Sequence, residues 1–330
     1  MKAAYIEKTG APDVIQYGDI PAPQLKPHEV LVKVSAVSVN PIDTYIRNGA
    51  NYWPLPQPFI IGCDLAGTIV EVGQAVTQWN VGQRVWGSNQ GLLGRQGTFA
   101  EFAAVDPQWL YSTPQNVSDE EAAACALVGI TAHLGLFGHG QLKAGEKVFV
   151  RGGTGGVGAM VLQMARAIGA EVITTAGSAE KAARCRQLGA HHVIEYRDCV
   201  WTEELARFAP QGVDLFWETL REPDFDAAVT AMAPRGRMIL MAGRDARPPF
   251  PVGPFYVKGC SLYGFAMFKS TAAEQALAAQ QMNAWLSSGA IGACIDRVLP
   301  LSEAATAHAL QEANTLRKEG NLAGKIVLKP

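Results

Sequence analysis

The sequence predicts an α/β chain in which a doubly wound parallel sheet is joined to a β-rich domain. Three observations lead there. Residues 1 to about 115 are built from short β-type runs, "EVLVKVSAVSV", "LAGTIVEVG" and "GTFAEFAAV" among them, parted by Pro and Gly clusters. From 147 onward β runs alternate with helical segments, the pattern of right-handed β-α-β crossovers. At the junction, "VFVRGGTGGVGAM" over 148–160 sets Gly153, Gly155 and Gly158 in G-x-G-x-x-G spacing directly after an apolar run.

Length and composition agree with this. At 330 residues the chain exceeds the ~250–300 residues at which one core stops growing, so two domains are expected. Hydrophobic residues are 48% and charged ones 18% of the chain, a globular composition. Subtracting 30 acidic from 28 basic residues leaves a formal charge of −2, so no basic field points to nucleic acid or to an anionic membrane surface. The opening "MKAAYIEKTGAPDVIQYGD" is charged from position 2 and lacks the apolar core of a secretory signal, and no run approaches ~18 consecutive apolar residues. The six cysteines, Cys63, Cys125, Cys185, Cys199, Cys260 and Cys294, stand far apart with no C-x-x-C, as thiols of a reducing compartment do. A cytoplasmic protein with no nucleic-acid or membrane partner is expected.

Each element follows from a local signal. Ser118 and Glu121 of "SDEEAAACALVGITAHLGLF" have capping-box spacing ahead of an apolar run at helical period, so a helix starts there. The pattern then predicts strand "KVFVRG", a helix over "GVGAMVLQMARAIG", strand "EVITTAG", a helix over "AEKAARCRQLG", strand "HHVIEY" and a helix near 201–208. Strand "VDLFWET", a helix near 224–233 and strand "GRMILMAG" complete the series. After about 265 come the helical "STAAEQALAAQQMNAWLSSG", then "ACIDRVLPLSEAATAHALQEA" and a terminal strand "GKIVLKP". These return to the β-rich domain, because a terminal strand is normally tied into an existing sheet. The expected domains are 1–120 completed by 266–330, and 121–265.

In a strand-turn-helix context the glycines have separate tasks: Gly153 permits the tight turn, Gly155 lets backbone approach a pyrophosphate, and Gly158 brings helix against strand. Thr154, Gly156 and Val157 complete a loop whose helix N-terminal N–H groups face the phosphates. The alternative is a glycine-rich turn with no ligand; the alternating series that follows favours a dinucleotide. An Asp or Glu ending the second strand would pair with the ribose of NAD. "EVITTAGSAEK" has none at Ala176, Gly177 or Ser178 and offers Ser178 and Lys181, with Arg184 one turn on. A carboxylate repels a 2′-phosphate and these groups attract one, so NADPH is expected over NADH. The competing explanation makes Ser178 an N-cap only and Lys181 a solvated helix charge.

"GCDLAGTIVEVG", "GQRVWG" and "GGVG", taken together, resemble the medium-chain dehydrogenase/reductase superfamily over essentially the whole chain. Within it, "VNPIDTYIRNG" at 39–49 and "RGGTGGVG" resemble the zinc-free quinone oxidoreductases of the zeta-crystallin type. The resemblance implies a GroES-like catalytic domain completed by the C-terminal segment, a Rossmann domain between, NADPH as cofactor, and homodimers or homotetramers formed through the nucleotide domains. Zinc members of the superfamily use thiolate and imidazole ligands. Here Asn40 stands where the cysteine ligand would be and "GCD" at 62–64 replaces Gly-His-Glu, while the six His residues show no metal spacing. No metal is expected.

By the same resemblance Asn40, Asp43 and Tyr45 of "NPIDTY" line the substrate cleft, with Tyr52 on the following loop. Asn40 would donate to a developing oxyanion, and Tyr45 or Tyr52 would stack on a flat ring or relay a proton. Equally, Asn40 and Asp43 flank Pro41 and fit a plain turn, and Tyr45 fits a core. On the cofactor side the resemblance assigns Thr131 of "GITAHLGL" to the nicotinamide end, Tyr196 of "VIEYRD" to the adenosine phosphate, Gly243 of "LMAG" to space for the cofactor, and Asn321 and Lys325 to closing over it. A packed helix threonine and a strand-end aromatic are the plain alternatives for the first two.

One stretch departs from the pattern. "FWETLREPDF" stands where relatives often carry Asp-x-x-Gly-Gly, so Glu218, Arg221 and Pro223 replace small residues at the expected cofactor cleft. Without a Lewis acid the acceptor must take a hydride readily, as a quinone or an activated enone does by delocalising electrons onto a conjugated carbonyl. The expected function is NADPH-dependent quinone reduction. An enone or alkenal reductase shares fold, cofactor and hydride delivery, and a non-catalytic, crystallin-like NADPH-binding protein is the alternative of a different class.

Overall fold

The structure, a computed structural model, describes residues 1–50, 53–317, 319–320 and 322–330, so Tyr52 and Asn321 lie outside the described residues. The chain forms two compact units, Met1–Val128 with Thr271–Pro330, and Gly129–Ser270.

The first unit opens with β1 (Lys2–Ile6) and β2 (Gln16–Asp19), paired antiparallel. It continues through β3 (Val30–Ser38), the short helix α1 (Pro41–Arg47), β4 (Phe59–Ile60), β5 (Leu65–Val72), β6 (Arg84–Gly87), β7 (Phe102–Val105) and β8 (Leu110–Ser112). In β3, Val30, Val32 and Val34 are buried and Lys33 is exposed, the alternation of a half-covered strand rich in β-branched residues; from Ala36 to Ser38 every residue is buried. One edge of β3 pairs with β5. The other pairs with β7 opposite Val30–Lys33 and leaves Val37 and Ser38 for a strand from far along the chain.

Helix α2 (Asp119–His133) starts where the capping spacing predicts, with Glu121 N donating to Ser118 Oγ at 3.1 Å. Wider turns over Leu134–His139 prolong it. The span Asp119–His139 is long and apolar enough by composition to cross a membrane, with mean hydropathy 1.4. However, 78% of that window is buried within the protein, as in the core helix of a globular fold.

The second unit alternates β9 (Lys147–Val150), α3 (Gly156–Ala167), β10 (Glu171–Ala176), α4 (Ala179–Gln187), β11 (His192–Glu195), α5 (Trp201–Phe208), β12 (Val213–Glu218), α6 (Phe225–Ala231), β13 (Met232–Leu240), α7 (Val252–Val257) and β14 (Ser261–Gly264). These strands form one parallel sheet in the order β11-β10-β9-β12-β13-β14. The chain reverses its direction of travel between β9 and β12, the switch point beside which open α/β sheets bind ligands. Helices cover both faces, so the central strands are buried runs rather than alternating ones. Phe149, Ile173, Phe216 and Met238 fill the core, and the Trp201 ring stacks on Phe149 at 5.4 Å.

Two departures from the predicted elements have local causes. Strand β13 begins at Met232, four residues before the predicted "GRMILMAG", because Met232 pairs with Val213 ahead of a register shift where Arg235 takes φ 63°. Helix α7 lies in "PVGPFYV", a stretch to which the predicted series assigns no element; Pro254 sits in the first turn, where its missing N–H costs nothing.

The chain then returns to the first unit through α8 (Ala272–Ser288), β15 (Ile295–Pro300), α9 (Ala304–Thr315) and β16 (Lys325–Lys329). A full capping box starts α8: Glu274 N donates to Thr271 Oγ1 at 3.2 Å and Thr271 N to Glu274 Oε2 at 2.7 Å. Strand β16 runs parallel to β15 and antiparallel to β3, filling the edge that β7 leaves open.

Candidate active site

The turn from β3 into α1, residues 39–43, is where the first unit gathers its buried polar groups. Asn40 is the N-cap of α1 and is fully buried. Its Nδ2 donates to Asp64 Oδ2 at 2.7 Å and lies 3.4 Å from Ser38 O, while its Oδ1 accepts from Lys325 Nζ. Lys325, the first residue of β16, also donates to Val39 O at 2.7 Å. Asp64, just ahead of β5, accepts from Ser38 Oγ at 2.8 Å, Ser88 Oγ at 2.6 Å and Leu127 N at 3.1 Å. Five separated segments, at 38–40, 64, 88, 127 and 325, thus meet through one carboxamide and one carboxylate, and a network so fully satisfied specifies a single geometry.

Charge explains why these residues tolerate burial. Desolvation pulls the Lys325 ammonium below its ordinary value while Asp64, Asp43 and Cys63 hold it up. Burial likewise pushes the Asp64 carboxyl up, opposed by Lys325 and by the Ser88, Asn40 and Ser38 donors. Asp43, two per cent exposed, accepts from Asn40 N at 2.7 Å through Oδ2, and its buried Oδ1 has no hydrogen-bond partner. Desolvation raises its carboxyl to about 7, with the Cys63 thiol and the Asn40 N–H holding it partly down. The Cys63 thiol is itself pushed well up by burial and by Asp43. Tyr45 is half-buried one residue beyond Thr44 on the same helix.

Asn40 Oδ1 is occupied in accepting from the Lys325 ammonium, and Cys63 is a lone thiol beside Asp43. Among the described residues no group of three or more His, Cys, Asp or Glu is gathered for an ion.

In the second unit the glycine-rich turn fits a diphosphate. Helix α3 begins at Gly156 with no side chain capping it, so no side-chain acceptor occupies its N-terminal N–H groups. A Cβ on Gly155 would meet nothing nearer than 3.4 Å, whereas one on Gly158 would lie 2.2 Å from Gly152 O, which brings helix against turn. The tight-turn task predicted for Gly153 falls to Gly152, which takes φ 80°. Gly153 is needed for packing, since a Cβ there would lie 2.5 Å from Thr174 Oγ1 and 3.0 Å from Cys185 Sγ. Thr154 and Val157 are partly exposed on this loop.

Ser178 is exposed and caps α4, accepting from Lys181 N at 3.3 Å. The Tyr196 hydroxyl lies 2.7 Å from where a Cβ of Gly177 would be, so Tyr196 overhangs the end of β10 beside Ser178. Thr131 is buried in α2. Gly243 has φ 81°, and the space its missing Cβ leaves is taken by Arg221 O, 2.3 Å away, rather than left open. Lys325, predicted to close over the cofactor, has both bonds described above within the first unit.

The departure at "FWETLREPDF" is compensated internally. Glu218, fully buried at the end of β12, pairs with Arg151 at 3.3 Å and accepts from Leu220 N at 2.8 Å. Arg151 follows β9, the neighbouring strand, and its guanidinium stacks over Trp201 at 4.8 Å. Adjacent parallel strand ends bring this pair together, so Glu218 is satisfied within the sheet.

Sequence reading missed Ser38, Asp64 and Ser88 as members of the network. A signal was present: Ser38 ends a strand otherwise apolar on its buried face, and Asp64 sits between "FIIGC" and "LAGTIV", where a carboxylate needs partners.

Comparison with known proteins assigns the class. Residues 26–115 match the alcohol dehydrogenase GroES-like domain and residues 156–282 the zinc-binding dehydrogenase domain, the pairing that defines medium-chain dehydrogenases/reductases. The chain is 32% identical to a quinone oxidoreductase of Sus scrofa over 312 residues, covering 93% of each. It is 30% identical to an NADPH-dependent alkenal/one oxidoreductase, chloroplastic, of Arabidopsis thaliana, covering 100% of this chain and 80% of that one. An Escherichia coli quinone oxidoreductase solved in complex with NADPH superposes with a TM-score of 0.85 at 26% identity, covering 100% of both chains. The chain belongs to the quinone oxidoreductase family of the medium-chain dehydrogenases/reductases, and is an oxidoreductase that uses a nicotinamide cofactor and a small-molecule substrate.

Proposed function

We propose that the protein reduces quinones with NADPH and without a metal ion. The observation carrying this is the buried Lys325 ammonium on Asn40 Oδ1, set among Asp43, Cys63 and Asp64, which spends on hydrogen bonding the groups a zinc site would need. When bound, the nicotinamide supplies a hydride. An acceptor that spreads the incoming electron pair over a conjugated carbonyl needs no Lewis acid, and a quinone then takes one proton besides the hydride to become the hydroquinone.

This chain's own residues bind and orient. The α3 N-terminus and Gly155 hold the diphosphate. Ser178 and Lys181, with no acid at the end of β10, take a 2′-phosphate, and Tyr196 covers that end. Asn40 and Asp43 act as positioning residues: both hydrogens of the Asn40 amide point at protein acceptors, so the carboxamide fixes the turn that presents half-buried Tyr45 to a flat ring. Exposed Val252, Tyr256, Val257 and Leu262 beside the edge strand β14 support a homodimer formed through the second unit. Six free cysteines support a cytoplasmic location.

Steady-state oxidation of NADPH and of NADH with 1,4-benzoquinone, before and after EDTA, tests the proposal. NADPH preference with activity retained after chelation is expected. Preference for NADH, or activity that chelation abolishes and zinc restores, overturns it. The Arabidopsis relative favours a second reading, reduction of an enone double bond; a short enone outpacing every quinone would select it.

A further inference from the structure

The loop over residues 88–97 carries polar groups that nothing in the fold uses. It is fastened to the network described above: Ser88 Oγ holds Asp64 Oδ1 at 2.6 Å, Gln90 N donates to Cys63 O at 3.3 Å, and Gly97 N donates to Ile60 O at 2.9 Å. Between these anchors Asn89 and Leu93 take φ 67° and 54°, left-handed conformations that an L-residue adopts only under constraint. Asn89 is fully buried, and neither its Oδ1 nor its Nδ2 has a hydrogen-bond partner. Beside it, Arg95 Nε donates to Asn89 O at 2.9 Å and the guanidinium lies over the Trp109 ring at 5.3 Å. Arg95 Nη2 is buried and also unpartnered, and among the described residues Arg95 has no ion pair.

Two enclosed donors and an enclosed acceptor, side by side and all unspent, are a departure from the rule that buried polar atoms are paired. The guanidinium is a permanent cation that Asp106 favours through space without pairing to it, and its flat N–H face matches two oxygens on one carbon. An adjacent amide N–H extends the same recognition, since an oxyanion accepts several donors at once. A cation would leave both donors unmet and meet the guanidinium with like charge, and an apolar group would satisfy none of the three atoms.

We propose that Asn89 and Arg95 form a subsite for a carboxylate on the acceptor, which makes the preferred substrate a quinone or enone bearing an acid group; the proposal rests on the reduction proposed above. Arg95 pairs with the carboxylate and the Asn89 amide donates to it, so the loop selects among acceptors by charge.

The test compares 1,4-benzoquinone with 1,4-benzoquinone-2-carboxylate, taking the ratio of their kcat/KM values in each protein so that intrinsic reactivity cancels between variants. Arg95→Gln is expected to lower the carboxylate-to-plain ratio by about 10- to 100-fold, the scale of one charge-assisted hydrogen-bonded pair. Asn89→Gly, which keeps the left-handed backbone, is expected to lower it by roughly 5-fold, and Asn89→Asp further through like-charge repulsion. An unchanged ratio in Arg95→Gln and Asn89→Gly overturns the subsite. Benzoate, titrated by proton NMR without nucleotide, gives a reading independent of turnover: shifts in the wild type that vanish in Arg95→Gln support the subsite, and shifts that persist overturn it. Benzoate binding lost in Arg95→Gln, together with no reduction of any acceptor, leaves the subsite standing and removes the proposed reaction instead.

Discussion

The Asn40 carboxamide bridges Lys325 and Asp64, accepting from the ammonium on one side and donating to the carboxylate at 2.7 Å on the other. Removing it strands a buried charge at each end. Asn40→Ala is therefore expected to lower unfolding free energy by about 2–4 kcal/mol, measured by urea denaturation. Asn40→Asp keeps an acceptor for Lys325 but sets a second carboxylate against Asp64, and should cost a similar amount; a loss under about 0.5 kcal/mol in either variant would mean the bridge is dispensable.

Asp43 should make stability depend on pH in a sense opposite to most carboxylates. Its folded value of about 7 lies above the unfolded one of about 3.9, so between those values the folded state holds more protons. Stability from this group is full at low pH and is lost as pH rises from about 4 to about 7. Asp43→Asn removes that loss. The difference in unfolding free energy between variant and wild type should grow in the variant's favour across this window and level off above it; a flat difference would place Asp43 at an ordinary carboxylate value.

Gly155 and Gly158 separate folding from binding. An alanine at 158 meets Gly152 O at 2.2 Å, so Gly158→Ala should destabilise the second unit and weaken nucleotide binding together. An alanine at 155 fits, with φ −70° and its nearest neighbour 3.4 Å away. Gly155→Ala is expected to keep its melting temperature and to bind NADPH at least about 10-fold more weakly by fluorescence titration, because the methyl group stands where backbone approaches the diphosphate.

Lys181→Glu puts a carboxylate one turn into α4, beside Ser178. If a 2′-phosphate docks there, KM for NADPH should rise roughly 10-fold or more while KM for NADH stays within about 2-fold. Equal changes for both nucleotides would make Lys181 a solvated helix charge.

Arg151 and Glu218 suit a double-mutant cycle. Glu218→Ala leaves a guanidinium three-quarters or more enclosed without its partner and is expected to cost about 3 kcal/mol. Replacing both, Arg151→Met with Glu218→Leu, should cost much less than the two single changes summed; additive losses would show that the pair is not coupled.

Most of the fold was legible because its signals are periodic and local. Buried parallel strands, glycine-rich turns and the caps at Ser118 and Thr271 each announce themselves within a few residues. What was not legible is what distance brings together. Nothing near Lys325 says that its ammonium meets Asn40, and nothing near Glu218 says that Arg151 answers it, because strand order creates both pairs. The task given to Gly153 passed to Gly152 for a related reason: motif spacing marks which glycines are required, and packing against Thr174 and Cys185 decides why.

Strand β16 also sets a timetable for synthesis. Lys325 meets Asn40 across a separation of 285 residues, and β16 pairs with Val37 and Ser38. The six-stranded sheet has its whole sequence available earlier and is free to fold while the ribosome is still at work. The turn bearing Asn40 and Asp43 must wait, its carboxylates without their ammonium, until residue 325 has cleared the exit tunnel, so the second unit has its whole sequence in hand before the buried network of the first can close.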